Sequence, residues 1–188
     1  MAQLPIYTFN HPVLRKRARL VKRPLSDLAQ AADDMLETMY KANGVGLAAN
    51  QVGLLQRLIV VDMTGSEGVE KFEPLKMYNP EVVEEEGKWL MEEGCLSLPG
   101  IAGDVVRPSA ITLHYRDEKF EEHTADFHGM MARVLLHEID HLDGKLFVDR
   151  MDKRDRRKIQ KELDAIAEGR VKADYPLARD ASRVEAEA

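Results

Sequence analysis

Five residues, His137-Glu138-Ile139-Asp140-His141, restrict what this chain can fold into more than any other stretch. Two histidines four positions apart bring their imidazoles to one ion when the segment is helical, because residues i and i+4 lie one above the other on the same face. The intervening Glu138 then projects about 100° around the axis from His137, since a helix has 3.6 residues per turn. It can face a water held by that ion without being a ligand. The spacing therefore suits a hydrolytic metal site with its own general base. The plainer alternative is a surface helix with scattered polar residues, because five positions with two free are a loose match. A helix is predicted over about 127–142, with Met131, Val134, Leu135 and Ile139 among its apolar positions and Gly144 ending it.

A hydrolytic site of this kind needs a third protein ligand and one open position. Three sources compete. His137-x-x-x-His141-x-x-Gly144 matches the opening of a metzincin signature, but that signature next requires histidine where this chain has Phe147. A thermolysin-like site would take a glutamate from a later helix, and Glu162 lies near that distance, though in a highly charged segment (KRDRRKIQKELD) that favours solvation. The third source is the single cysteine, Cys95, in Glu92-Glu93-Gly94-Cys95-Leu96-Ser97. Thiolate is a strong ligand for a borderline-soft divalent ion. Most free cysteines are small buried hydrophobes, yet the residues around Cys95 describe a turn rather than a core strand. His11, before a proline, His114 in a strand pattern, His123 among acidic residues and His128 at a helix start are poorer candidates, each read as structural or solvated.

The rest of the sequence bounds the fold. A chain of 188 residues, 44% hydrophobic and 32% charged, is long enough for one domain with a real core. Its net charge of -6 argues against DNA as a ligand. One cysteine excludes an intrachain disulfide. No apolar run approaches the roughly 20 residues that span a bilayer, and the opening stretch lacks a signal-peptide block, so a cytoplasmic protein is expected. Further elements are a helix over 26–43, strands over 57–63, 76–78, 82–86, 111–115 and 119–125, and a helix over 152–168. The expected class is α+β, with short, mostly antiparallel strands packed around the central helix and helices at both ends. One domain is expected over 1–172, and a flexible tail over 173–188.

A glycine-rich segment, Asn43-Gly44-Val45-Gly46-Leu47-Ala48-Ala49-Asn50-Gln51-Val52-Gly53, lacks the Gly-Lys-Ser/Thr ending of a phosphate loop and alone reads as a tight helix-to-strand connection. Taken in order, Gly44–Gln51, Glu93-Gly94-Cys95-Leu96-Ser97 and His137–His141 resemble the three signature motifs of the peptide deformylases, and the resemblance extends over roughly 5–170. One departure is Leu136, where many members carry glutamine. The resemblance implies Cys95, His137 and His141 as ligands of one divalent ion, with water in the fourth position, and Glu138 as the group that takes and returns the proton. It implies the Gln51 side chain and the Leu96 backbone N–H as oxyanion donors, Gly46 as a backbone contact for an extended peptide, and Val45 as a wall of the methionine pocket. The substrate would be the N-formylmethionyl end of a nascent protein, and a cleft fitted to the formyl hydrogen would exclude acetyl. Members of that family are ferrous enzymes that also work with nickel or cobalt, so iron is expected in the cell and zinc, nickel or cobalt in purified protein. Basic residues crowding the last helix (Lys153, Arg154, Arg156, Arg157, Lys158, Lys161) suggest either a solvated face or ribosome contact. The rivals are a zinc endopeptidase and a non-catalytic metal-binding protein.

Overall fold

Leu28, Ala32, Met35, Leu36 and Met39 recur at helical spacing, and α1 (Ser26–Lys41) buries all five. It stops before residue 43 because Asn43 turns to a left-handed φ of 55° and the Gly44 N–H closes on the Met39 carbonyl at 2.9 Å, the usual left-handed helix ending. The computed structural model describes residues 2–23, 26–66, 71 and 73–178.

Among the described residues seven strands follow: β1 (Gly46–Ala48), β2 (Leu58–Val61), β3 (Leu75–Glu86), β4 (Trp89–Gly94), β5 (Ala102–Arg107), β6 (Ala110–Arg116) and β7 (Glu122–His128). Five form one antiparallel sheet in the order β1-β2-β3-β6-β7, while β4 and β5 form a separate hairpin. Side chains on a strand alternate between faces, and here each face meets a different helix. Ile59, Val61 and Met77 pack with Leu135, Ile139 and Leu142 of α2 (Gly129–Leu142). Leu58, Val60 and Tyr78 pack with α1. The histidine-bearing helix is thereby fixed across the sheet.

Several boundaries differ from the sequence reading. The two short strands expected over 76–86 are one strand with register shifts after Tyr78 and Val82. Residues 119–121 form the β6–β7 turn, where Phe120 takes φ 65°, so β7 begins later and runs to His128. Gly129, at φ 56°, makes the corner into α2. The last helix is divided at Ile159 into α3 (Lys153–Lys158), which buries nothing, and α4 (Gln160–Ala167), which buries Leu163 and Ile166 against Phe147 and Val148. The highly charged α3 has no apolar face to keep it in line with α4.

The tail is also different over its described part. Residues 173–178 are not loose: Ile6 donates to the Pro176 carbonyl, and Ala178 donates to the Ile6 carbonyl, both at 2.9 Å, around a parallel bridge between Ile6 and Leu177. Ile6 is fully buried, and its backbone groups need partners that water cannot supply. Residues 179–188 of the expected tail lie outside the described residues. No helix among the described residues is long and apolar enough to cross a membrane.

Candidate metal centre

Helix α2 stacks His137 and His141 with ring centroids 4.9 Å apart. Cys95 reaches them from the turn after β4, where the Leu98 N–H donates to the Cys95 carbonyl at 2.9 Å. Cys95 Sγ lies 3.2 Å from His141 Nε2, and donor atoms of Cys95, His137 and His141 all fall within 4.8 Å of one another. Ligands at Zn-type bond lengths of 2.0–2.3 Å in a tetrahedron are about 3.3–3.6 Å apart. One thiolate and two imidazoles at these separations fit a single divalent ion with an open position. His141 is fully buried; burial, then the positive charges of His137 and Arg107, hold its pKa well below the ordinary value. It is thus the neutral imidazole that a metal ligand must be.

Two carboxylates flank His137. Glu93 accepts from His137 Nδ1 at 3.0 Å, from Arg107 Nε and Nη2 at 2.6 and 2.9 Å, and from Arg133 Nη1 at 2.5 Å. Burial alone would raise its pKa, but the His137 and Arg107 contacts outweigh it and bring the group down to about 2. Arg107 extends the network, donating to Asp140 at 2.7 Å, and Asp140 is paired in turn with Arg150. Arg133 donates to the Trp89 and Val105 carbonyls and stacks on the Trp89 ring.

Glu138 is the opposite case. It is buried, and its Oε2 has no hydrogen-bond partner. Burial pushes its pKa up to about 7, with His137 and Arg107 only partly offsetting this. Gly46 explains how the carboxylate fits: a Cβ there would lie 2.5 Å from Glu138 Oε1. Only a glycine lets β1 run this close.

Gln51 sits in the short 3-10 helix Ala49–Val52. Its Oε1 accepts from the Ala48 N–H at 2.8 Å, and its Nε2 donates to Ser97 Oγ at 3.1 Å and lies 3.6 Å from Cys95 Sγ. The amide is thereby oriented with its nitrogen toward Ser97 Oγ and the Cys95 sulfur. Leu96 follows Cys95, and its carbonyl accepts from the Tyr175 hydroxyl at 2.8 Å. The site opens into a cleft of about 420 Å³ whose lining includes Val45, Gly46, Met91, Met130, Val134 and Tyr175. Val45 stands exposed at its edge.

The other sequence candidates are elsewhere. Glu162 is exposed on α4, and Phe147 packs its ring against His137 at 6.2 Å. His114 contacts Thr124, His11 caps the turn at Val13, and His123 pairs with Asp117. Sequence reasoning missed the roles of Glu93, Arg107, Arg133, Asp140 and Tyr175. Glu93 was visible only as part of a motif, and Arg107 lay outside every motif.

The sequence model of the family described as Polypeptide deformylase matches residues 3–157. A peptide deformylase of Chlorobaculum tepidum is 69% identical over 185 residues, covering 98% of this chain and 99% of that relative. One of Chlorobaculum parvum is 58% identical over the same share of each chain. The crystal structure of a peptide deformylase from Legionella pneumophila is similar with a TM-score of 0.82 at 38% identity, covering 90% of this chain and 98% of that one.

Proposed function

This chain belongs to the peptide deformylase family and so removes the formyl group from the N-terminal formylmethionine of newly made proteins, and we propose that it does so with Cys95, His137 and His141 holding the divalent ion this family needs. One observation carries the assignment: the three donors converge beside a buried carboxylate, Glu138, that has an oxygen without a partner. When bound, a divalent ion lowers the pKa of a coordinated water from 15.7 to about 7 and polarises the formyl oxygen.

The chain's own residues supply the remainder. Glu138 takes the proton of the attacking water and delivers it to the departing amine, a task suited to a carboxylate whose pKa lies near neutrality. Gln51 Nε2 and the Leu96 N–H donate to the oxygen that becomes negative in the tetrahedral state. Gly46 offers its backbone to the extended peptide, and Val45 walls the apolar part of the cleft that takes the methionine side chain. Formate release from formyl-Met-Ala-Ser tests the scheme. Wild type should turn over, and Glu138→Ala should keep its metal and lose turnover. A Glu138→Ala variant with full activity would remove the carboxylate from the mechanism.

Ferrous iron is the ion proposed in the cell, with zinc, nickel or cobalt in purified samples. Metal analysis after anaerobic purification should find iron, and tightly held zinc with full activity would overturn that assignment. Work on nascent chains supports a cytoplasmic location. The exposed Lys153, Arg154, Arg157 and Lys158 of α3 support an electrostatic contact with ribosomal RNA. Co-sedimentation with ribosomes at low salt should be lost in Arg154→Glu/Arg157→Glu.

A further inference from the structure

No acidic residue precedes Asp27 in the sequence, and ahead of it stand six cations between positions 15 and 23: Arg15, Lys16, Arg17, Arg19, Lys22 and Arg23. The whole chain has a net charge of -6, so this segment is a local excess of positive charge on an acidic protein. The chemistry of the cleft uses none of it.

Residues 16–23 form neither a helix nor a strand of the sheet, yet their backbone is fixed. Ala18 and Val21 are buried. The Ala18 N–H donates to the Leu142 carbonyl at the end of α2 at 2.7 Å, the Arg19 N–H to the Leu55 carbonyl at 2.8 Å, and the Arg57 N–H to the Arg19 carbonyl at 2.8 Å. The Asn79 side chain serves Val21 as a neighbouring strand would, accepting from its N–H through Oδ1 and donating to its carbonyl through Nδ2, both at 2.8 Å. All six cations point out from this fixed backbone and are exposed. Arg15 pairs with Asp149, and Arg17 lies 3.7 Å from Asp143. Among the described residues, Lys16, Arg19, Lys22 and Arg23 pair with no acid. The chain that carries them is ordered by folding, so little ordering entropy is left to lose on binding.

Two polyanions compete for such a surface, an RNA backbone and an anionic bilayer. Seating in a bilayer interface needs an apolar face beside the cations, and the strip offers only Leu20, 66% exposed. An RNA backbone needs fixed cations within reach of its phosphates. The enzyme's substrates are newly made proteins, which emerge from a particle built largely of RNA. We propose that residues 16–23 are an RNA-contact strip, with Lys16, Arg19, Lys22 and Arg23 neutralising phosphates of ribosomal RNA. The strip is a surface separate from the basic face of α3 and rests only on the enzyme's work on nascent chains.

Co-sedimentation with ribosomes between 50 and 200 mM salt tests the strip. Each phosphate neutralised contributes about 0.7–0.9 to the slope of log affinity against log salt. Lys16→Ala/Arg19→Ala/Lys22→Ala/Arg23→Ala should therefore flatten that slope by about 3, so that the wild type loses about 60-fold more affinity than the variant across the range. Formate release from formyl-Met-Ala-Ser, metal content and Tm should stay at wild-type values. Arg19→Lys/Arg23→Lys keeps the charges and should keep the slope. An unchanged slope in the four-alanine variant would overturn the proposal, as would wild-type binding to phosphatidylglycerol vesicles in preference to ribosomes. Arg154→Glu/Arg157→Glu, measured alongside, separates the two surfaces: a loss of slope confined to that variant leaves α3 as the contact and removes the strip.

Discussion

The hairpin side and the cleft side of His137 treat a buried carboxylate in opposite ways. On the hairpin side, Glu93 is met by His137, Arg107 and Arg133 and is held near a pKa of 2. On the cleft side, Glu138 is left with an unpartnered oxygen and rises to about 7. Both groups are almost fully shielded from water, so burial alone does not decide what a carboxylate does. The supply of opposite charge does. A fully paired Glu93 is a fixed anion that orients an imidazole, as the partner of a metal-bound histidine generally does. An unpaired Glu138 can gain and lose a proton near neutral pH.

The contrast can be broken most forcibly at Glu138 itself. Glu138→Gln should lower kcat by about 10²–10⁴, the usual contribution of a general acid–base group, with the metal-to-protein ratio unchanged; equal loss of metal would show that the residue is structural. Next, Arg107→Met removes the cation shared by Glu93 and Asp140. It should destabilise the fold by about 3 kcal/mol in denaturant unfolding, because two buried carboxylates each lose a cation at once. A loss within experimental error would mean that the network carries no stability.

The pH dependence of the metal-free protein sharpens the same comparison. Glu138 has a folded pKa of about 7, above the 4.5 of the free side chain. Its contribution is therefore present below pH 4.5 and is lost as pH rises through 7. Glu93, at about 2, contributes above pH 4.5 and loses that contribution as pH falls toward 2. Each shift amounts to something on the order of 3 kcal/mol. Urea titrations should show Glu138→Gln flattening the neutral limb and Glu93→Gln the acid limb, and a swap of limbs would refute the assignment. The smallest effect is on affinity: Glu93→Gln should weaken metal binding by about 10- to 100-fold through a less firmly oriented His137, as measured by competition with a chelator.

What the sequence revealed follows from which contacts are local. His137 and His141 are legible because helical spacing alone juxtaposes them, and the apolar positions of α1 because they recur at one turn. The hairpin β4–β5 was not predicted, although its residues alternate in burial. Its inward positions include Glu93 and Arg107, which read as solvent-facing until each is seen to neutralise the other across the hairpin. Asp140 is hidden in the same way, since its partners are 33 and 10 positions away. Cys95 stood out as a candidate ligand because it is the chain's single cysteine in a turn-like segment, and the other two motifs then implied its role. The contact of Tyr175 with the Leu96 carbonyl gave no signal, because the segment that carries it is paired with Ile6.

The bridge between Ile6 and Leu177 joins positions separated by nearly the whole described chain. Contacts at such separation carry the largest loop-closure entropy and tend to form late. During translation, α2 and the Cys95 turn leave the ribosome well before Leu177 does. The proposed metal ligands can therefore gather first, and the Ile6–Leu177 bridge is completed only when synthesis has passed the final helix.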